Sequence, residues 1–438
     1  MDENTPRASG EAPFDGTGTG PGPGPGSGSM GGPDPAPVVR SNVPGSFPWG
    51  VLADRHPALI RQVRDAFPYG RRQHEALDIL LREITDDVVG PLTPADSDHD
   101  QESWAAWGRE YFGGSWYDAP FLWAENYFYR RLLGAVGYFG TGPWRGVDPF
   151  APFKRAELRG EAVGEELRAL DALADAPAGQ RGTALLHASL WGNRADLGFR
   201  ISAAGPMAGE AVAPGLVADD SAALWRLLPV TTSATVAVVA DNAGRELIPD
   251  LVLIDHLLTH GHAERVLLHV KPAPYFVSDA MTADVVDCFR RLVEAPGEAG
   301  RIGRRLWTAM AGGAVEVRTH PFFCAPLPYE EMPDDLRQEF AGAALTLVKG
   351  DLNYRRLVGD RRWNATEPFA RLTAYFPGAV AALRTLKSDV VVGLEQETLD
   401  TLEASGAAWR TSGTHALIQC AHGHGPASSG TSAAARMR

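Results

Sequence analysis

Apolar side chains fall at helical spacing through most of the chain up to about Leu224, and beyond that point the period changes. Residues 119–137 (APFLWAENYFYRRLLGAVG), 154–175 and 181–197 carry apolar positions three and four apart, the stripe a helix buries. From about Ala234 short β-branched runs alternate with helical stretches. TVAVVA is followed by ELIPDLVLIDHLLTHG, RVLLHVK and the helical MTADVVDCFRRLVEA, and then by the strand-like LTLVKG, the helical YRRLVGD, and the strand-like DVVVGL and THALIQC. Strands separated by helices of about 10–15 residues predict a largely parallel, wound sheet. The pattern predicts an α/β protein in which a mostly helical part, residues 46–230, packs on an α/β part, residues 231–424. The two ends differ. Residues 1–45, with GTGTGPGPGPGSGSMGGPDPAP at their heart, bury too little apolar surface to offset their ordering entropy and read as a disordered tail. Residues 425–438 read as a mobile C-terminal tail.

Composition narrows the function classes. The chain has 438 residues, 44% of them hydrophobic, and a net charge of -13. Phosphate backbones attract basic stripes, none is visible, and nucleic acid is excluded as the main partner. Cys288, Cys324 and Cys420 lie far apart with no CxxC pair, which argues against a disulfide framework and for a reducing, cytoplasmic setting. No apolar run approaches the roughly 20 residues that cross a bilayer, so no membrane role is expected. No obligate protein partner is evident. The N-terminal glycines lack a following GK[ST] and are no phosphate loop. His415, Cys420, His422 and His424 match no closed zinc spacing, and there is no G-x-S-x-G elbow. The Trp-rich stretch 103–123 reads as core in the absence of a basic setting.

The polar residues that remain sit where strands end. TVAVVA stops on Asp241-Asn242, a carboxylate and an amide before a helix opening with Arg245-Glu246. Ligands of wound sheets gather beyond the carboxyl ends of the strands, and oxygen donors suit Mg²⁺ or Mn²⁺ better than zinc. An Asx-turn capping the helix is the competing reading. Asp279, in FVSDA, is a second carboxylate at a helix start near Thr282, with an ordinary N-cap as its alternative. LTLVK ends in Gly350, and Asp351, Asn353 and Arg355 just beyond it are placed to hold a polar substrate. Arg384, Thr385 and Lys387, leading into DVVVGL, form a candidate phosphate clamp or else a solvated basic helix end. Within Trp191–Leu197, Asn193 and Asp196 interrupt an apolar run, as either a turn aimed at the site or an αα-corner. Glu125, among aromatics, needs a partner: a core ion pair first, substrate contact second.

Taken together, SLWGNRADL (189–197), DNAGRE (241–246), FVSD (276–279), KGDLNYR (349–355) and RTLK (384–387) resemble the damage-control phosphatase family, once a domain of unknown function. The similarity is to its acidic-residue-methyltransferase-like branch, marked by RTxK, and covers roughly residues 45–422. The resemblance implies a helical bundle on a three-layer α/β/α domain. It further implies a metal-dependent phosphatase acting on small phosphorylated metabolites, typically sugar phosphates such as fructose 1-phosphate or fructose 6-phosphate. Asp241, Asn242 and Asp279 match the family's metal ligands, with Mn²⁺ the first expectation and Co²⁺, Ni²⁺ or Mg²⁺ the alternatives. Asp241, Asn242, Glu246, Asp279, Asp351, Leu352, Asn353, Tyr354, Arg355 and Lys387 match positions that contact ligand. Arg245, where the branch usually has an apolar or aromatic residue, is expected beside the site. In mechanism, Arg384, Lys387 and Lys349 would neutralise phosphoryl charge, with attack by water and attack by Asp241 both open. Two rival functions stand beside this one: an S-adenosylmethionine-dependent carboxyl methyltransferase acting on protein glutamate, and a catalytically idle sugar-phosphate-binding protein.

Overall fold

The change of period near Ala234 corresponds to the point where the chain enters the middle of a sheet. In the computed structural model, which describes residues 36–86, 88–93, 100–192, 215–230 and 233–422, seven strands form that sheet. They are β1 (Leu216–Asp219), β2 (Thr235–Val239), β3 (Arg265–Val270), β4 (Val315–Thr319), β5 (Leu345–Lys349), β6 (Val380–Thr385) and β7 (Ala416–Ala421). Their order is β1-β7-β6-β5-β2-β3-β4, and every neighbouring pair is parallel except β6 with β7. Successive strand side chains point to opposite faces. Val236 and Val238 therefore enter one apolar core while Ala237 and Val239 enter another. All five residues of β5 are buried. Both faces of the sheet are covered, as a parallel sheet requires. The α/β class with a largely parallel sheet is what the sequence pattern predicts.

The principal helices before the sheet are α1 (His56–Ala66), α2 (Arg71–Thr85), α3 (Gln101–Gly108), α4 (Phe121–Val136), α5 (Ala151–Leu158), α6 (Glu161–Leu173) and α7 (Ala178–Trp191). They divide between two cores. The first four enclose an aromatic cluster holding Trp104, Trp116, Trp123, Tyr127, Phe128 and Tyr129, so the Trp-rich stretch is interior. Leu158 at the end of α5, together with α6 and α7, packs instead on the sheet face that carries Val236 and Val238. The same face receives α8 (Leu247–Thr259), α9 (Thr282–Val293) and α10 (Gly297–Ala311). On the opposite face lie α11 (Asp334–Ala341) and α12 (Asp351–Val358). Leu352 and Tyr275 reach from the α/β part into the aromatic cluster and join the two halves.

Several local expectations change. DVVVGL (389–394) buries Val390, Val391, Val392 and Leu394 but is irregular, and the strand is the preceding VAALRT, so Arg384 and Thr385 end a strand rather than a helix. Its small alanines made that strand hard to see. The 154–175 stripe is two helices, broken at Gly160. The helix after Asp241 starts at Leu247, not at Arg245. Residues 36–45, taken with the disordered tail, include a buried Val39 whose N–H reaches Asp360 O at 3.1 Å and whose carbonyl accepts from Phe121 at 2.8 Å. Residues 1–35 and 425–438 lie outside the described residues. Among the described residues no helix is long and apolar enough to cross a membrane.

Candidate active site

From β2 the chain moves to β3 and β4 on one side, then returns to β5 on the other. The crevice beyond the carboxyl ends of β2 and β5 is therefore the point where strand order reverses, the usual place for ligand in a wound sheet. Asp241-Asn242 leave β2 there, and Gly350-Asp351 leave β5. Gly350 has φ 87° and ψ 173°, a region open in practice to glycine alone, and a Cβ at that position would collide with the Asp241 carboxylate. Close approach of the two strand exits is what the glycine permits.

Asp279 arrives from the loop after β3. Phe276 and Val277 have φ of 45° and 67°, and for a β-branched residue such a value marks stored strain. That turn lays residues 278–280 antiparallel to 241–243. The Ala243 N–H donates to Ser278 O at 2.7 Å, and the Ala280 N–H donates to Asp241 O at 2.8 Å. Side chains follow the ladder. Ser278 Oγ donates to Asn242 Oδ1 at 2.6 Å, while Asn242 Nδ2 donates to Glu246 Oε2 at 2.9 Å and to Asp241 Oδ2 at 3.3 Å. Glu246 Oε1 faces Lys387 Nζ at 3.6 Å, and that lysine keeps 45% of its side chain exposed.

The charges here are unbalanced. Desolvation, then the negative charges of Asp279 and Glu246, push the Asp241 carboxyl well above the usual range. Burial raises Asp279 to about 6, against the opposing pull of Lys271 and Lys154. Asp279 Oδ2 is buried without a hydrogen-bond partner, with Lys271 Nζ 3.4 Å away. Two desolvated carboxylates that repel each other, plus an amide oxygen beside them, fit a divalent oxygen-loving cation. Among the described residues no three His, Cys, Asp or Glu side chains form a metal-binding group, so a cation held here would take the Asn242 amide as its third donor.

The other expected substrate residues divide sharply. Arg384 is fully buried and spends its guanidinium on Asp351 (2.7 and 2.8 Å), on Ser388 and on Val390 O, with Tyr354 4.3 Å beneath it. It is not a free phosphate clamp. Instead it fixes Asp351, whose Oδ1 accepts the Lys387 N–H at 3.2 Å, and it holds Asp351 below the ordinary carboxylate range against the cost of burial. Asn353, also fully buried, ties the two strand exits together through Ala240 O (3.2 Å) and Lys349 O (2.9 Å). Tyr354 points inward to Gln419 at 2.9 Å, and Leu352 lies in the aromatic core. Arg355 forms a buried triad with Asp360 (2.7 Å) and Glu125 (2.8 Å), which places Glu125 in a core ion pair. Lys349 is committed to Asp250 (2.7 Å) and Ser189 Oγ (2.8 Å), and Arg245 turns away to Glu166. Thr385 pairs with Ala416 in the sheet. Gly192 abuts Glu246, since a Cβ on it would lie 2.7 Å from Glu246 Cγ. Asn193 and Asp196 lie outside the described residues.

Two cations escaped sequence reading. Lys271 is the last residue of RVLLHVK, so the strand-end signal used for Asp241 pointed to it as well. Lys154 carried no signal. It lies on α5, far away in the chain, and donates to Asp279 O at 3.0 Å and to Asp284 at 2.8 Å.

Residues 51–402 match the family model described as the damage-control phosphatase ARMT1-like domain. The damage-control phosphatase ARMT1 of zebrafish (Danio rerio) is 29% identical over 87% of this chain and 96% of its own length. That of mouse (Mus musculus) is 30% identical over 86% and 96%, and that of human (Homo sapiens) 31% over 69% and 75%. A solved DUF89 family protein from Pyrococcus horikoshii aligns with a TM-score of 0.43 at 14% identity, over 80% of this chain and 94% of that one.

Gly350→Ala is expected to lose about 1–3 kcal/mol from backbone strain alone and more from displacing Asp241; a urea melt matching wild type would refute the fit described. Arg355→Ala, which leaves two carboxylates unpaired in the core, is expected to cost about 3–5 kcal/mol. Lys387→Ala should stay within about 1 kcal/mol of wild type in the same melt while activity falls. Equal stability losses for these two variants would contradict the division between framework and crevice.

Proposed function

The chain belongs to the ARMT1-like damage-control phosphatase family, and from that premise we propose a metal-dependent phosphatase that removes phosphate from small sugar phosphates. Its general role is that of a damage-control phosphatase, and its activity is that of a hydrolase. One observation carries the finer reading: Asp241 and Asp279, 38 positions apart, share one desolvated crevice at the sheet's switch point with Lys387 at its rim. Fructose 1-phosphate and fructose 6-phosphate are the substrates the motif resemblance implies.

Asp241, Asn242 and Asp279 are the residues that would hold the cation, with Mn²⁺ first and Co²⁺, Ni²⁺ or Mg²⁺ as alternatives. Lewis acidity at a phosphoryl oxygen, and relief of the repulsion between the carboxylates, are what such an ion supplies when bound. Glu246 and Ser278 fix the Asn242 amide from opposite ends. Lys387 answers the charge on the equatorial phosphoryl oxygens, because phosphoryl transfer depends on positioning and electrostatics. Burial opposes its charge, but Glu246, Asp241 and Asp351 raise its pKa and keep it protonated. Arg384 acts one step back, through Asp351 and the Lys387 backbone. Attack by water and attack by an Asp241 oxygen differ in whether a beryllium fluoride adduct forms on Asp241. No observation favours the methyltransferase reading: a carboxylate and an amide, not a run of glycines, follow β2.

Asp241→Asn is expected to lower turnover by at least about 10³-fold on a panel of sugar phosphates assayed with Mn²⁺, Co²⁺, Ni²⁺ and Mg²⁺. Chelator should abolish the wild-type rate. Wild-type turnover in chelator, or near-wild-type turnover by the variant, would remove the proposal. Linkage gives a second test. Asp279 titrates near 6 when folded and about 3.9 unfolded, and Asp241 is raised in the same direction. The native state thus binds protons more tightly. The stability these groups contribute is present below about pH 4 and is lost as pH rises through about 6. A cation needs the deprotonated pair, so Mn²⁺ should raise the melting midpoint more at pH 7.5 than at pH 5. A shift independent of pH, or one retained in Asp241→Asn, would count against the assigned ligands.

A further inference from the structure

We propose that a groove on the outer side of the helical layer binds a nucleotide, its phosphates against an arginine cluster and its base on Trp307. Arg155 on α5, Arg159 just after it, and Arg290 and Arg291 in the last turn of α9 line a groove of about 360 Å³. Arg290 and Glu294 also wall a second groove of about 380 Å³, completed by Arg304 and Trp307 of α10. The two grooves adjoin along that shared pair, and each is of the size small ligands occupy.

Four guanidinium groups face two carboxylates in the first groove, in a chain whose net charge is -13. Asp287 is the shared partner of Arg155 (3.5 Å) and Arg290 (3.7 Å), both long contacts to half-exposed side chains. Arg159, Arg291 and Arg304 form no ion pair with any described residue. Arg355, Arg384 and Arg305, by contrast, are each held by carboxylates at 3.0 Å or less. Helix C-termini favour cations, and two of them end here. That preference stabilises one or two arginines at about half a charge per helix, which falls short of four. Uncommitted planar forks are the groups that bind phosphate in pairs. Trp307 is 47% exposed, whereas Trp104, Trp116, Trp123, Trp191 and Trp409 are buried. A half-exposed indole lining a groove beside the arginines is a surface on which a base can stack. Glu294, between the two, offers acceptors suited to ribose hydroxyls.

The groove shares its scaffold with the crevice. Lys154, next to Arg155, donates to Asp279 O, and α9 begins three residues after Asp279. The ligand therefore sits on the two helices that adjoin Asp279.

The test is calorimetric titration of the full chain, in chelator, with ATP, tripolyphosphate and adenosine as probes. Saturable one-to-one ATP binding is expected. Arg159→Ala with Arg290→Ala should weaken it at least about tenfold. Trp307→Ala should weaken ATP severalfold and leave tripolyphosphate unchanged. Lys387→Ala, at the crevice rim, should change nothing here, so failure of this inference is separable from failure of the phosphatase reading. Melting midpoints control for folding, and Arg159→Glu alone serves if the double variant is unstable. No saturable ATP binding at millimolar concentration would overturn the proposal. So would sensitivity to Lys387 in place of the arginines, or tripolyphosphate binding as tightly as ATP with Trp307 indifferent.

Discussion

Two carboxylates that repel each other inside a desolvated crevice are the constraint around which this molecule is arranged. Water would separate Asp241 and Asp279 at no cost. The fold instead locks their backbones into a short antiparallel ladder, with the Ala280 and Ala243 N–H groups bonded across it. Burial holds both groups above their ordinary titration range, helped at Asp241 by the charges of Asp279 and Glu246 and at Asp279 by that of Glu246. Lys271, 3.4 Å from the Asp279 carboxylate, and Lys154, on the Asp279 carbonyl, relieve part of that energy. The strain at Phe276 and Val277 is part of the same bargain: the turn that presents Asp279 to β2 needs backbone angles that neither residue favours.

Polar residues at the strand ends do two kinds of work, and burial separates them. Asn353, Arg355, Arg384 and Lys349 are all at most 6% exposed, and their donors are consumed by carbonyls and carboxylates of the framework. A buried guanidinium left unpaired would cost several kcal/mol, so each carries its own set of acceptors. Lys387 and Glu246 keep solvent contact and face one another across the crevice. The framework residues keep the β2 and β5 exits in register, which lets a few exposed side chains operate at fixed distances.

The same test, committed or uncommitted donors, distinguishes the arginines far from the crevice. Those of the outer groove sit on α5 and α9 with few partners, and these two helices also carry Lys154 and follow Asp279. Surface chemistry and site geometry are therefore joined through short, stiff elements rather than through a loop.

The sequence alone determined the fold class, because hydrophobic period is a local property: 3.6-residue stripes before Ala234 and buried β-branched runs after it. It also singled out Asp241 and Asn242 as candidates, since an apolar strand that stops on a carboxylate is visible without any partner, and Asp279 as a carboxylate ahead of a helix start. It missed β6, whose alanines carry little β signal, and placed a strand on DVVVGL, which buries its valines but is irregular. Which strand-end polar residues face the crevice and which hold the framework was decided only by the tertiary structure. Arg384 and Lys387 look alike in RTLK. One is enclosed by Asp351, Ser388 and Tyr354 and the other stands at the rim, a difference made by elements tens of residues distant that no local pattern encodes.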